Sequence, residues 1–168
     1  MKKYLIKGLL AAVIILVYFT GWRAVREFVT SVSIIPQIEY AMAHCDEYLQ
    51  YDVVKPTSLR IYQYDWEREE YDVYSYTTPA GFYLLAGLVF IFLLNGTKIY
   101  YLLLAGYHAG FWIISTLTLL PGFCIHPVFL HITFLGIQYL TPFVTFMILL
   151  LLISPGMKKT FSTPKRQE

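Results

Sequence analysis

Long apolar stretches alternating with polar ones set the pattern of this chain. The stretches are Tyr4–Gly21, Thr78–Leu94, Ile99–Leu120 and Val128–Ile153. No Asp, Glu, Lys or Arg falls inside the last three, and the first holds only Lys7. A helix rising about 1.5 Å per residue needs roughly 20 mostly apolar residues to cross hydrocarbon about 30 Å thick. Each stretch therefore predicts a membrane-spanning helix. Between the first two lies a polar insert, Trp22–Pro79, which holds ten of the eleven acidic residues. The expected fold is a membrane protein, mainly α, with four transmembrane helices and a small α+β insert between helices 1 and 2. The expected division is an anchor over 1–21, the insert over 22–79, a three-helix membrane region over 80–154 and a basic tail over 155–168.

Inside the insert the period changes twice. Pro36 is tolerated in the first turn of a helix and not in its interior, so it predicts a new helix starting there. Ile35, Ile38, Met42, Cys45 and Leu49 then make one apolar stripe at helical spacing, with Glu39, Asp46, Glu47 and Gln50 off it. This predicts an amphipathic helix over Pro36–Gln50. After Lys55-Pro56 the chain is rich in β-formers over Ser58–Tyr64 and Glu70–Thr77, with Asp65-Trp66-Glu67-Arg68-Glu69 as a polar turn between them. A hairpin follows. A lone hairpin is marginal in water, so it needs the helix, the membrane surface or a partner to pack on.

Charge decides the orientation. Lys2, Lys3, Lys7, Lys98, Lys158, Lys159, Lys165 and Arg166 flank the apolar stretches, and Lys and Arg are biased to cytoplasmic flanks. With four crossings, both termini fall in the cytoplasm and residues 22–79 fall outside it, in the cell membrane of the source. The opening Lys-Lys and apolar run also resemble the start of a secretory signal, but Tyr18-Phe19-Thr20-Gly21-Trp22 lacks the small residues of a cleavage site, so an uncleaved anchor is expected. Arg23, Arg26 and Glu27 would carry that helix into water. The basic tail would lean on anionic lipid.

The chain has 168 residues, 57% of them hydrophobic. That is too apolar for an ordinary soluble domain. An acidic insert argues against nucleic acid as a partner. No phosphate loop, dinucleotide loop, nucleophile elbow, calcium loop or pair of intramembrane carboxylates is present, and no cofactor is expected.

The candidate chemistry is sparse. Tyr62, Tyr64, Trp66, Tyr71, Tyr74 and Tyr76 decorate the hairpin, either as a binding face for sugar or peptide or as interfacial anchors and strand formers. Gly106 and Gly110 form a small-x-x-x-small pair that lets helices approach. His108 is the ionisable group nearest mid-bilayer, a relay or ligand in one reading and a neutral, hydrogen-bonded side chain in the other. Pro142 is expected to kink the last span, with the freed backbone groups satisfied locally.

Both cysteines, Cys45 and Cys124, fall outside, where an oxidising space favours a disulfide. The alternative use is catalytic, a membrane-embedded thiol enzyme of transpeptidase or protease type with Cys124 as nucleophile and His126 or His131 as base. A metal site from His44, Cys45, Cys124, His126 and His131 matches no tight ligand spacing. The leading expectation is a non-enzymatic accessory or scaffold subunit of a larger membrane assembly. Its expected partners are the lipid bilayer and a membrane protein or further copies of the chain.

Overall fold

The computed structural model describes residues 2–154, so the basic tail lies outside the described residues. The protein is mostly helical, with one small antiparallel sheet. Among the described residues three helices are long and apolar enough to cross a membrane: α1 (Tyr4–His44), α3 (Lys98–Cys124) and α4 (Val128–Ile153). The stretch expected to form the second span gives a shorter apolar helix, α2 (Phe82–Leu93). Its 12 residues rise about 18 Å. Residues 78–81 before it are irregular, with Ala80 at a φ of 57°.

Helix α1 is continuous through Pro36, contrary to the expectation that a new helix starts there. The reason is a π segment, Thr30–Ile34, immediately before it. A π turn holds one residue more than an α turn and shifts the hydrogen-bond ladder, so the missing N–H and the ring of Pro36 are accommodated. A second π segment covers Tyr18–Trp22. Together they explain an unusual period. Tyr18, Arg26, Thr30, Ile34 and Ile38 are buried, and Trp22 is half-buried, at steps of four. At about 3.6 residues per turn that stripe would wind away from the bundle. Two extra residues taken up by the π turns return it to one face.

Helix α1 ends at His44 rather than near Gln50, and the residues beyond it form a strand that the hairpin expectation omitted. The sheet has three strands in the order β1 (Gln50–Lys55), β2 (Ser58–Asp65), β3 (Glu70–Thr77). Leu59, Ile61, Gln63 and Asp65 pair with Tyr76, Tyr74, Asp72 and Glu70. Paired residues share a face. The apolar half of that face packs on Ile34, Ile38 and Ala41 of α1, Leu119 and Phe123 of α3, and Leu130 of α4. The sheet thus rests on helix ends. A second core of Leu84, Ile91, Tyr100, Leu104, Ile148 and Leu152 fills the bundle away from the sheet.

Close helix approach uses glycines other than the expected pair. A Cβ on Gly106 or Gly110 would meet nothing within 4 Å. On Gly87 it would lie 2.7 Å from Leu104, on Gly122 2.5 Å from Leu130, and on Gly136 2.5 Å from the Phe111 ring. The small-x-x-x-small pair faces outward because the α3 stripe of Leu104, His108, Phe111, Ser115 and Leu119 turns inward instead.

Gly136→Val should therefore destabilise the protein by about 1–3 kcal/mol through overpacking. Gly106→Val and Gly110→Val should leave the thermal midpoint in detergent nearly unchanged. An equal drop in all three would mean that the outward glycines also make close contacts.

Candidate functional site

Three places gather the chemistry-bearing residues. The first is the junction of sheet and bundle. Cys45, just beyond α1, is bonded to Cys124 at the end of α3, with Cα atoms 4.9 Å apart. Neither cysteine is free. The histidines near the bond are engaged by residues two to four positions away in sequence. The His44 ring stacks on Tyr40, with centroids 4.3 Å apart. His126 Nδ1 accepts the Val128 N–H (3.2 Å), and His131 Nδ1 lies 3.0 Å from Pro127 O. Among the described residues no group of three or more His, Cys, Asp and Glu is placed to hold a metal.

The second is the sheet tip. The six aromatic candidates divide between two faces. Tyr74 and Tyr76 point inward, Tyr74 stacking on Phe134 at 4.8 Å. Tyr62 and Tyr64 pair across the ladder with Val73 and Tyr71 on the outer face. There Tyr64 contacts Trp66 at 4.9 Å and Tyr71 at 5.2 Å, and Tyr48 contacts Trp66 at 4.9 Å. Tyr48 is a member that sequence spacing missed, because it lies before β1. Beside this cluster Arg68 binds Asp65 (2.7 Å), Glu70 (3.1 Å) and Asp72 (2.7 Å). The Arg68 hydrogen bond, then the Glu67 N–H, holds the Asp65 carboxyl below its ordinary value.

The third is a cleft of about 600 Å³ between β3, residues 78–83 and the middle of α3 and α4. Arg26 forms part of its wall and is 6% exposed. Its expected exit into water does not occur; only the Arg23–Glu27 pair (2.8 Å) does so. The period of four turns Arg26 inward. Its Nε donates to Thr78 O (3.2 Å) and Pro79 O (3.1 Å), its Nη2 to Thr78 O, and its Nη1 to the Tyr18 hydroxyl (3.2 Å). Trp22 Nε1 donates to Ala80 O (2.8 Å). The irregular segment before α2 thus has its carbonyls satisfied by two side chains of α1. Every acceptor of Arg26 is neutral, and among the described residues it makes no salt bridge. No protein-family model, curated protein or solved structure matches the chain.

His108 is apart from all three. Its Nε2 lies 3.3 Å from Thr145 Oγ1, which itself donates to Thr141 O (2.8 Å). The Thr145 proton is therefore engaged, and Nε2 must be the protonated nitrogen. Its Nδ1 is buried without a partner among the described residues. The Pro142 region repeats the Pro36 solution. A π segment, Gly136–Leu140, precedes it, and the Thr141 hydroxyl donates to Gly136 O (3.1 Å).

Two outcomes follow. Thiol labelling of the intact protein should modify neither cysteine until a reductant is added, and then both; labelling of Cys124 without reductant would restore a nucleophile there. The sheet tip should be pH-sensitive. Asp65 has a lowered folded pKa, so its contribution is full above the unfolded value of about 3.9 and is lost as the pH falls through the lowered value. The fluorine resonance of 5-fluorotryptophan at Trp66 should hold steady from pH 7 to about 4 and move below that. Asp65→Asn should abolish the movement.

Proposed function

We propose that this chain is an integral protein of the cell membrane and a non-enzymatic accessory or scaffold subunit of a larger membrane assembly. Both termini lie in the cytoplasm, and residues 22–79 form an extracytoplasmic domain that offers the outer face of the sheet to a partner. The observation that carries this reading is the Cys45–Cys124 bond. A structural disulfide fits an oxidising, extracytoplasmic space. It also occupies the thiol on which the alternative, a transpeptidase-like enzyme with His126 or His131, depends. Finally it ties the sheet to the bundle, so that the outer aromatic cluster is presented from a fixed base.

Four crossings are compatible with the short α2. Residues 78–81 add at most about 13 Å to its rise of about 18 Å, near the thickness of the hydrocarbon. Irregular backbone is tolerated at that depth only where protein satisfies it, and Arg26 and Trp22 do so here. Lys7, whose Nζ donates to Asn95 Oδ1 (2.5 Å) at the other end of α2, suits the cytoplasmic boundary.

A topology reporter fused near Asp65 should be active only outside the cytoplasm. Extraction in mild detergent followed by native mass measurement should return a defined complex or homo-oligomer. A cytosolic signal would overturn the topology, and a clean monomer would overturn the subunit role.

A further inference from the structure

The cleft beside β3 combines three features. The first is a free strand edge. In the order β1-β2-β3, β3 is paired on one side only among the described residues. The Thr78 N–H donates to Thr57 O (2.9 Å), and the β2–β3 register continues from there without a bulge. Antiparallel alternation then turns the backbone N–H and C=O groups of Val73, Ser75 and Thr77 away from β2, off the open edge. All three residues line the cleft.

The second feature is an asymmetry between the two edges of the sheet. β1 has a register shift between Val53 and Lys55, and Pro56 follows. A bulge, an edge lysine and a proline are the devices that stop another strand from pairing. From Val73 to Thr77, β3 has neither bulge nor lysine, and its following proline, Pro79, comes one residue later past the strand end than Pro56 does. The edge left unguarded is the one that faces the cleft.

The third is the charge at the end of that edge. Arg26 sits against Thr78 and Pro79 and, among the described residues, bonds only neutral acceptors. A guanidinium has five N–H donors. One N–H on each terminal nitrogen has no acceptor among the described residues. Gly81 keeps the space beside it open, since a Cβ there would lie 2.9 Å from Nη2.

We propose that the cleft receives the C-terminal segment of an extracytoplasmic polypeptide, added to β3 as a fourth strand with its terminal carboxylate on Arg26. Because Arg26 lies at the Thr78 end of β3, the added strand runs parallel to it. Val73 to Thr78 covers about 17 Å at about 3.3 Å per residue, room for five or six residues. An anionic headgroup would match Arg26 but leave the open edge unused; the edge selects a polypeptide. This inference names the element through which the accessory subunit holds its partner, and it rests on that reading.

The test uses the full-length protein in phosphatidylcholine nanodiscs. A defined array of fluorescein-labelled hexapeptides with free carboxyl termini, and the same peptides as C-terminal amides, is read by anisotropy. Saturable binding is expected from members of the acid array, at least tenfold weaker for their amides. Ser75→Pro should abolish it, because proline removes an outward N–H while the ladder to β2 stays intact. An intact disulfide and an unchanged thermal midpoint check that this variant is folded; if it is not, the acid–amide comparison on the unmodified protein decides. In Arg26→Gln the acids and amides should bind alike.

The absence of any carboxylate-dependent binder would overturn the proposal, as would wild-type binding by folded Ser75→Pro. So would Arg26-dependent retention of phosphatidylglycerol in native mass spectra with no peptide bound. A partner that co-purifies undiminished with Ser75→Pro would remove this inference and leave the subunit reading standing. Peptide binding by a clean monomer would do the reverse.

Discussion

The buried stripe of α1 is the constraint on which the rest of the structure depends. Its lower part, around Tyr18 and Trp22, meets the bundle, and its upper part, from Ile34 to Ala41, meets the sheet. One helix serves both only if a single face runs its full length. An unbroken α-helix with contacts every fourth residue would turn that face through roughly half a revolution between Tyr18 and Ile38. The sheet and the second bundle helix would then lie on opposite sides, and neither core could close. The two π segments remove that rotation, and hence fix where every later element docks.

Two tethers hold the sheet on this base, and they differ in kind. The Cys45–Cys124 bond closes a separation of 79 residues, and such cross-links contribute typically 2–4 kcal/mol. It acts on the chain that enters the sheet. Arg26 acts on the chain that leaves it, holding the carbonyls of Thr78 and Pro79. The Thr30 and Thr78 hydroxyls, 2.5 Å apart, add a second bond at the same place. The exposed tip has no comparable tie to the bundle. Its Arg68 cage is local and solvent-screened, and exposed ion pairs of that sort are worth little.

Legibility in the sequence followed how local the determining physics was. Apolar runs and the change to period two are local, so the long helices α3 and α4, and both strands flanking the Asp65–Glu69 turn, lie close to where the residues predict them. The cysteine pair is legible because the chain has two cysteines, both on segments that the charge pattern predicts to share one side. What escaped was non-local. Strand β1 (Gln50–Lys55) has five exposed residues and no apolar alternation to signal it; its place comes from pairing with β2. The 3-4-3-4 stripe ran past His44 because Leu49 is buried, but from a loop and not from a helix. Arg26 looked like a residue entering water, since its charge masks its membership of a stripe whose other members include Thr30 as well as apolar side chains. A period of four over Tyr18, Trp22, Arg26, Thr30, Ile34 and Ile38 was the available signal. Single-period reasoning discards it.

The same irregularity links architecture to the cleft. All three π segments lie near it. Tyr18–Trp22 and Thr30–Ile34 bracket Arg26 in α1, and Gly136–Leu140 places Ile137 and Gln138 in the opposite wall. In two of the three a proline follows within two residues, at Pro36 and Pro142. π-Bulges recur at functional sites because the extra residue must be held by specific surroundings to persist. Here the surroundings are specific in both walls: Arg26 and Trp22 bind the irregular backbone before α2, and the Thr141 hydroxyl adds a second donor to Gly136 O, which also accepts the Thr141 backbone N–H. Ala80, held at positive φ between them, adds backbone strain of about 1–3 kcal/mol in the same few ångströms. A chain selected only to span a bilayer has no need to gather its distortions in one place. Their convergence beside a strand edge and a cation that, among the described residues, have no strand and no ion-pair partner is the arrangement a ligand site would require.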